Sequence, residues 1–324
     1  MNRISVLLWL QVCTLLIVSM ILLGGYTRLT SSGLSIVEWK PITGTIPPIS
    51  EVQWQEEFIK YKDTPEYKTV NWGMSLQEFK FIYLVEYFHR LLGRVLGIFF
   101  TSFMIFFYVK KKIDSPIYLV MLILGGFQGF IGWYMVKSGL VNLPSVSHYR
   151  LGAHFMLAIC LYSMMLWQIF KITGVQKTGV SLKIKKLLIL FTSLLIVQMF
   201  LGSLAAGLKS GLTYNSFPLM GNSFIPDEVV HLGMNLKIFD DPSSLHFIHR
   251  LCAYIVAVVC LFLSTRLYIL NRSFAIMLIL ALALQIFLGI LVVLFKVPIW
   301  IAIGHQLGSI ILLSIALFGL YRFI

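Results

Sequence analysis

Eight runs of mostly apolar residues dominate this chain, at 4–24, 81–109, 116–136, 149–170, 186–207, 246–268, 273–295 and 298–320. A helix needs about 20 such residues to cross a bilayer. Hydrocarbon offers the backbone no hydrogen-bond partner, so a spanning segment must satisfy its own N–H and C=O groups, as a helix does. The pattern therefore predicts an all-α integral membrane protein with eight transmembrane helices. Composition agrees: 58% of residues are hydrophobic and only 12% are charged, with a mean hydropathy of +0.88. The first run, "ISVLLWLQVCTLLIVSMILL", is too long for the apolar region of a signal peptide and lacks a clear A-x-A site before "GGYTRLTSS". It is read as an uncleaved span. Only a tight "FKVP" turn separates the last two runs.

The net charge of +13 is explained by where the bases lie. No Gly-rich phosphate loop follows a strand pattern and no basic segment is interleaved with aromatics, so no nucleic-acid partner is expected. Bases predominate in one set of loops: "KKK" at 110–112, then Lys171, Lys177, Lys183, Lys185 and Lys186 with no acid among them, then Arg266 and Arg272, with Arg3 and Arg322 at the ends. The alternate loops are mixed: 26–80 has six bases and seven acids, and 208–243 has two bases and four acids. Positive loops stay inside, so both termini are expected to be cytoplasmic and both long loops to face outward. Within the first long loop, "EVQWQEEFIKYK" suggests a short amphipathic helix, and the loop is expected to cover something on the outer face. Cys13, Cys160, Cys252 and Cys260 all lie in apolar segments without a C-x-x-C, as small buried hydrophobes do.

The chain also reads as a duplication. "LLIVSMILLGG" (15–25) pairs with "LLIVQMFLGSL" (194–204), and "SSGLSIVEWKPITG" (31–44) with "KSGLTYNSFPLMG" (209–221). "FQGFIGWYMV" (127–136) pairs with "LQIFLGILVV" (284–293), Gln on Gln and Gly on Gly. His89 falls on His249, and His154 on His305. The expected architecture is two repeat-related four-helix bundles, 1–172 and 173–324. With four spans each, both insert the same way round, related by an axis along the membrane normal.

Ionisable groups inside such spans are costly and usually functional. His89, His154, His249 and His305 begin the second, fourth, sixth and eighth spans, all from the outer side and so at similar depth. Each half offers two imidazoles from non-adjacent helices, an arrangement in which bundles build cofactor sites. A lone membrane histidine is more often a packing residue, but four in repeat-related pairs point to ligands. Zinc would want a third or fourth protein ligand, with only Glu86 to help, and copper would favour Met or Cys beside His. Two axial imidazoles amid aromatic and aliphatic side chains suit haem iron better. Arg90, Arg94, Arg150 and Arg250 lie near these histidines, either as partners of haem propionates or snorkelling to head groups. His148, His231 and His246 read as polar interface residues.

Of thirteen acidic residues, Glu86 alone lies within an apolar run, three positions before His89 and on the same helical face. Its counterpart is His246. Two sites with a carboxylate at only one suggest divided labour, the first half moving protons through a buried Glu of raised pKa and the second holding a permanent haem. The other reading of Glu86 is a structural pairing with Arg90 or Arg94.

Together, "GGYTRLTSSGLSIVEWKPITGTIPP", "EYFHRLLGR", "YRLGAHF", "HFIHRL" and "GHQLGS" resemble the heme A synthase family over nearly the whole chain. The resemblance implies oxidation of the C8 methyl group of haem O to a formyl group through hydroxylated intermediates, giving haem A, with oxygen from water. It implies His89 and His154 as axial ligands of the substrate haem O, Glu86 as the catalytic carboxylate, and His249 and His305 as axial ligands of a haem b. The first long loop lacks the cysteine pair of some bacterial members, which aligns the chain with the branch shared by proteobacteria and mitochondria and leaves its electron route open. The implied setting is the cell inner membrane (the mitochondrial inner membrane in a eukaryote), with haem sites toward the outer side. The implied partners are the lipid bilayer, a haem O synthase and an unidentified electron acceptor, with a homo-oligomer left open. The alternative function is a non-enzymatic bis-histidine membrane cytochrome that passes electrons. A transporter, the third reading, would put polar groups at mid-membrane, whereas these cluster near one face.

Overall fold

The computed structural model describes residues 3–40, 43–113, 115–141, 144–233 and 235–324. Among them are eight helices long and apolar enough to cross a membrane. These are α1 (Arg3–Leu29), α4 (Leu76–Val109), α5 (Ile117–Gly139), α6 (His148–Thr173), α7 (Leu182–Gly207), α9 (Pro242–Leu270), α10 (Arg272–Leu294) and α11 (Ile299–Phe323). The three short helices are α2 (Glu51–Lys62), α3 (Pro65–Thr69) and α8 (Asp227–Leu232). The protein is a multi-pass, all-α membrane protein.

Most spans extend beyond their apolar runs because polar residues start them. α4 begins five residues early: Ser75 accepts from the Glu78 backbone N–H, and the Glu78 carboxylate accepts from the Ser75 N–H, satisfying two of the donors a helix start leaves orphaned. Glu78 is therefore a helix cap rather than a loop acid. Asp241 caps α9 ahead of Pro242, and Asn271 caps α10. The helix expected around "EVQWQEEFIKYK" is α2, closed by a Ser50–Gln53 capping box. Trp54, Phe58 and Tyr61 recur at i, i+4 and i+7 on its inner face. They pack with Tyr67 against Phe79, Ile82, Tyr83 and Tyr87 of α4. Burying each such ring contributes about 1.5–3 kcal/mol, so this loop is a folded layer on the first turns of α4.

The chain divides into two compact units, Met1–Tyr162 and Ser163–Ile324. The division falls inside α6, ten residues before the end of the half proposed from the repeat. In unit 1, α1 packs on α4, and α4 also contacts α2 and α5. In unit 2, α7 packs on α9, α9 on α10, α10 on α11 and α11 on α7, closing a four-helix ring.

Each unit folds an "SGL" segment of its long loop back onto a helix end. In unit 1, Leu34 lies so close to Gly139 that an added Cβ would sit 2.8 Å from it. In unit 2, Gly211 meets Val297 of the α10–α11 turn, at 2.9 Å from a Cβ. Lys296 and Val297 turn there with φ of 58° and 60°, a left-handed conformation that is a strain for a β-branched residue. The turn is held by Val297 N–H to the Val292 carbonyl at 2.7 Å and by Asn215 Nδ2 to the Val293 carbonyl at 3.0 Å.

Candidate functional site

Each of the four span histidines rests against a glycine of a neighbouring helix in its own unit. A Cβ added to Gly24 of α1 would lie 3.1 Å from His89 Nε2. One on Gly132 of α5 would lie 3.0 Å from His154 Cε1, on Gly202 of α7 3.0 Å from His249 Cε1, and on Gly289 of α10 2.9 Å from His305 Cε1. A methyl group at any of these positions would push the ring away, so glycine here is a requirement of close approach.

Four residues before each glycine stands the second element of the seat. Gln128 Nε2 donates to the His154 carbonyl at 3.0 Å and lies 3.4 Å from the ring. Gln198 Nε2 donates to the His249 carbonyl at 3.0 Å and lies 3.2 Å from Nδ1. Gln285 Nε2 lies 3.4 Å from His305 Nε2, and His305 Nδ1 donates to the Gln285 carbonyl at 3.1 Å. At the fourth seat the residue four before the glycine is Met20, and His89 hydrogen-bonds its main chain as His305 does that of Gln285. In all three glutamines the buried Oε1 has no partner, and the same holds for His154 Nδ1.

One turn before His89, Glu86 is 3% exposed. Its Oε2 accepts from Ser35 N–H at 2.8 Å, Ser35 Oγ at 2.6 Å and Ile36 N–H at 2.9 Å. Its Oε1 accepts from Arg90 Nη2 at 2.6 Å and Nε at 3.1 Å. Arg90 also donates to the Ile36 carbonyl, so helix and loop are clasped together. In unit 2, His246 Nδ1 lies 3.5 Å from Thr213 Oγ1, and its Nε2 accepts from Arg250 Nε at 3.1 Å. Arg250 donates further to the carbonyls of Tyr214, Ser216 and Leu219.

The remaining residues singled out from the sequence are dispersed. Arg94 donates to the Lys40 carbonyl at 3.0 Å. Arg150 donates to the Tyr134 carbonyl and lies 3.6 Å over the Tyr134 ring. His148 stacks beside Tyr149 at the start of α6, His231 is exposed in α8, and His246 is buried within the clasp. Sequence reasoning missed Ser35, Met20, Gly24, Gln198 and Gly202. The signal for Gln198 and Gly202 was the spacing Gln-x-x-x-Gly, present three times.

The family model described as cytochrome oxidase assembly protein, COX15-CtaA, matches residues 7–317. A curated protein of Rickettsia felis named Heme A synthase is 47% identical over 328 residues, 97% of each chain. Proteins of the same name from Neorickettsia sennetsu and Rickettsia bellii are 45% identical over 313 residues and 46% over 321, each covering 95% of both chains. The chain thus belongs to the COX15-CtaA family of cytochrome oxidase assembly proteins.

Proposed function

We propose that this chain is a heme A synthase, converting the C8 methyl group of haem O to the formyl group of haem A. The observation that carries this reading is a pair of matched histidine seats in each unit, with a buried carboxylate beside only one of them. The relatives named Heme A synthase support it along nearly the whole chain.

The residues fit a macrocycle better than a bare ion. Among the described residues, no group of three or more His, Cys, Asp or Glu side chains gathers as an ion site. The histidines come two to a unit, each seated against a glycine and three of the four beside a buried glutamine amide. We assign His89 and His154 to the substrate haem O, and His249 and His305 to a resident haem b. When bound, haem b would supply one-electron redox capacity. Arg90, Arg94, Arg150 and Arg250 are the candidate partners of the propionates.

Replacing a methyl by a formyl group with oxygen from water releases four electrons and four protons. Glu86 is the acceptor proposed for protons. It lies on the His89 face, is shielded from bulk water, and has the Ser35 hydroxyl at 2.6 Å as a relay. Taking a proton at Oε2 would require that hydroxyl to turn from donor to acceptor. The electrons need an acceptor outside the chain, and the substrate needs an enzyme of the haem O synthase class. From the charge of the loops we propose that the termini are cytoplasmic and the seats lie toward the outer side of the bacterial inner membrane, in two repeat-related halves.

The test is an extracted-haem profile of the chain purified from a host that makes haem O but not haem A. Haem A or its hydroxylated precursor beside haem b is the expected result. Haem b alone, with haem O available, would overturn the reading in favour of an electron-carrying cytochrome.

A further inference from the structure

An open cleft of about 650 Å³ lies where α5 meets the start of α6 in unit 1, walled by Phe130, Trp133, Tyr134, Lys137 and Arg150, with Val141 and Ser147 of the connection at its rim. Ligand sites have volumes of about 300–1,000 Å³. We propose that this cleft holds an anionic phospholipid, its phosphate taken by Lys137 and Arg150 and its acyl chains lying along the aromatic face of α5.

The cleft is separate from the histidine seats. Phe130, Tyr134 and Lys137 recur at i, i+4 and i+7 and share one face of α5. Gly132, which seats His154, is two residues from both Phe130 and Tyr134 and so about 200° round the helix. The cleft face is the one turned outward: Phe130 is 52% and Tyr134 44% exposed.

Its two cations are fixed but not neutralised. Lys137 Nζ stands 5.2 Å over the Trp133 ring, and the Arg150 guanidinium 3.6 Å over the Tyr134 ring. Arg150 also donates to the Tyr134 carbonyl at 2.8 Å. Rings and carbonyls orient a cation without cancelling its charge. Among the described residues neither cation pairs with a carboxylate, and the sequence has no acid between Asp114 and Asp227. Two positive charges above an exposed aromatic wall call for an acidic head on an apolar body.

Unit 2 shows that this is more than the usual interfacial belt of aromatic and basic residues. Aligning Gln128 with Gln285 sets Trp133, Tyr134 and Lys137 against Ile290, Leu291 and Leu294, and aligning His154 with His305 sets Arg150 against Ile301. Both cations and two of the three rings are thus replaced by aliphatic residues, with Lys296 and Trp300 confined to the turn. The connections differ too: 140–147 joins α5 to α6, whereas only 295–298 joins α10 to α11. The longer connection supplies the rim of the cleft.

The experiment titrates the full, haem-loaded chain in detergent with phosphatidylglycerol or phosphatidylcholine and counts retained lipid by native mass spectrometry. The parent should keep one phosphatidylglycerol in preference to phosphatidylcholine. Lys137→Gln and Arg150→Gln should each weaken its retention about fivefold, the effect of one basic residue at an anionic lipid surface. Lys137→Arg should keep it, and so should Lys296→Gln in unit 2. Equal retention of the two lipids by the parent would overturn the proposal, as would equal losses in Lys137→Arg or Lys296→Gln. Excess inorganic phosphate should not displace the lipid; displacement would mean that the ion alone fills the site. Because Arg150 is also a propionate candidate, haem content is measured in each variant. Lower haem content in unit 1 with lipid retention unchanged would assign both cations to the carboxylates of haem and overturn the lipid site.

Discussion

In unit 1 the long loop is clasped to its histidine-bearing helix by a carboxylate, and in unit 2 by an imidazole. Glu86 and His246 occupy the same place, three residues before His89 and His249 and four before Arg90 and Arg250. Both meet a loop hydroxyl, Ser35 or Thr213, and both accept from the arginine one turn on. Arg90 and Arg250 then reach corresponding loop carbonyls, Ile36 and Tyr214. A neutral ring thus suffices to build the clasp. A buried carboxylate is harder to desolvate than an imidazole, and unit 1 offsets that with three loop donors and a guanidinium. The use of the costlier group where the cheaper one would hold the loop argues that Glu86 does more than hold it.

The sharpest way to break the comparison is to remove its ligands. His249→Ala or His305→Ala should strip unit 2 of its haem, a loss larger than the 10- to 100-fold that outer-shell changes produce, while unit 1 still loads. Absorption spectra of the purified variants would read this directly. Retention of both haems in His305→Ala would end the two-site assignment.

Next in size is the carboxylate. Glu86→Ala should keep haem content and lower haem A formation by about 10²- to 10⁴-fold, the usual contribution of a positioned proton acceptor. Glu86→His copies unit 2 and should restore the loop clasp without restoring the reaction. If haem A forms normally in Glu86→His, the clasp is all that the carboxylate provides, and the two units differ only in dress.

The glycine seats come third. Gly202→Ala and Gly289→Ala would set a methyl 3.0 and 2.9 Å from the His249 and His305 rings. Displacing a packed ring costs about 1–3 kcal/mol, so lower thermal midpoints and shifted haem bands are expected. Gly125→Ala, where a Cβ meets nothing, is the control on the same kind of helix.

The seats show where sequence reading succeeds and where it stops. The spans were legible because length and apolarity decide them without reference to any partner, and α2 because its aromatic spacing is helical. The four histidines stood out because a membrane makes ionisable groups rare. Gln198 and Gly202 did not, because matching "LLIVSMILLGG" to "LLIVQMFLGSL" sets Gly202 against Leu23. By role, Gly202 corresponds to Gly24, one residue away, and only the ring packed against each glycine reveals it. The acceptor load on Glu86 was hidden for a similar reason, since Ser35 lies 51 residues away in sequence and has no pattern of its own. The pairing of Glu86 with Arg90 was one of the two readings of that residue, and it is present; the loop donors beside it were not foreseen. Arg90 and Arg250 were read as groups reaching toward a ligand, and their bonds to loop carbonyls depend on loop paths that composition does not specify.

The smallest effect lies on the surface of the unit 1 loop. Glu38 accepts from Lys40 at 2.6 Å and from Lys60 at 2.9 Å, and Lys60 also reaches Glu57 at 3.0 Å. The hydrogen bonds from Lys40, then Lys60, hold the Glu38 carboxyl down at about 2, below its ordinary value of 4.5. A carboxyl depressed on folding adds stability above its unfolded value, and that contribution is lost as the pH falls through the folded one. The advantage of the parent over Glu38→Gln should therefore shrink between about pH 4.5 and 2. Because these side chains are roughly half exposed, water and salt screen the pair, and the difference should stay under about 1 kcal/mol. It should shrink further at high salt. A thermal midpoint that drops by several degrees in Glu38→Gln at neutral pH would mean that this loop is held from its surface as well as by the Glu86 clasp beneath, and the contrast with unit 2 would then be one of two clasps rather than of one carboxylate.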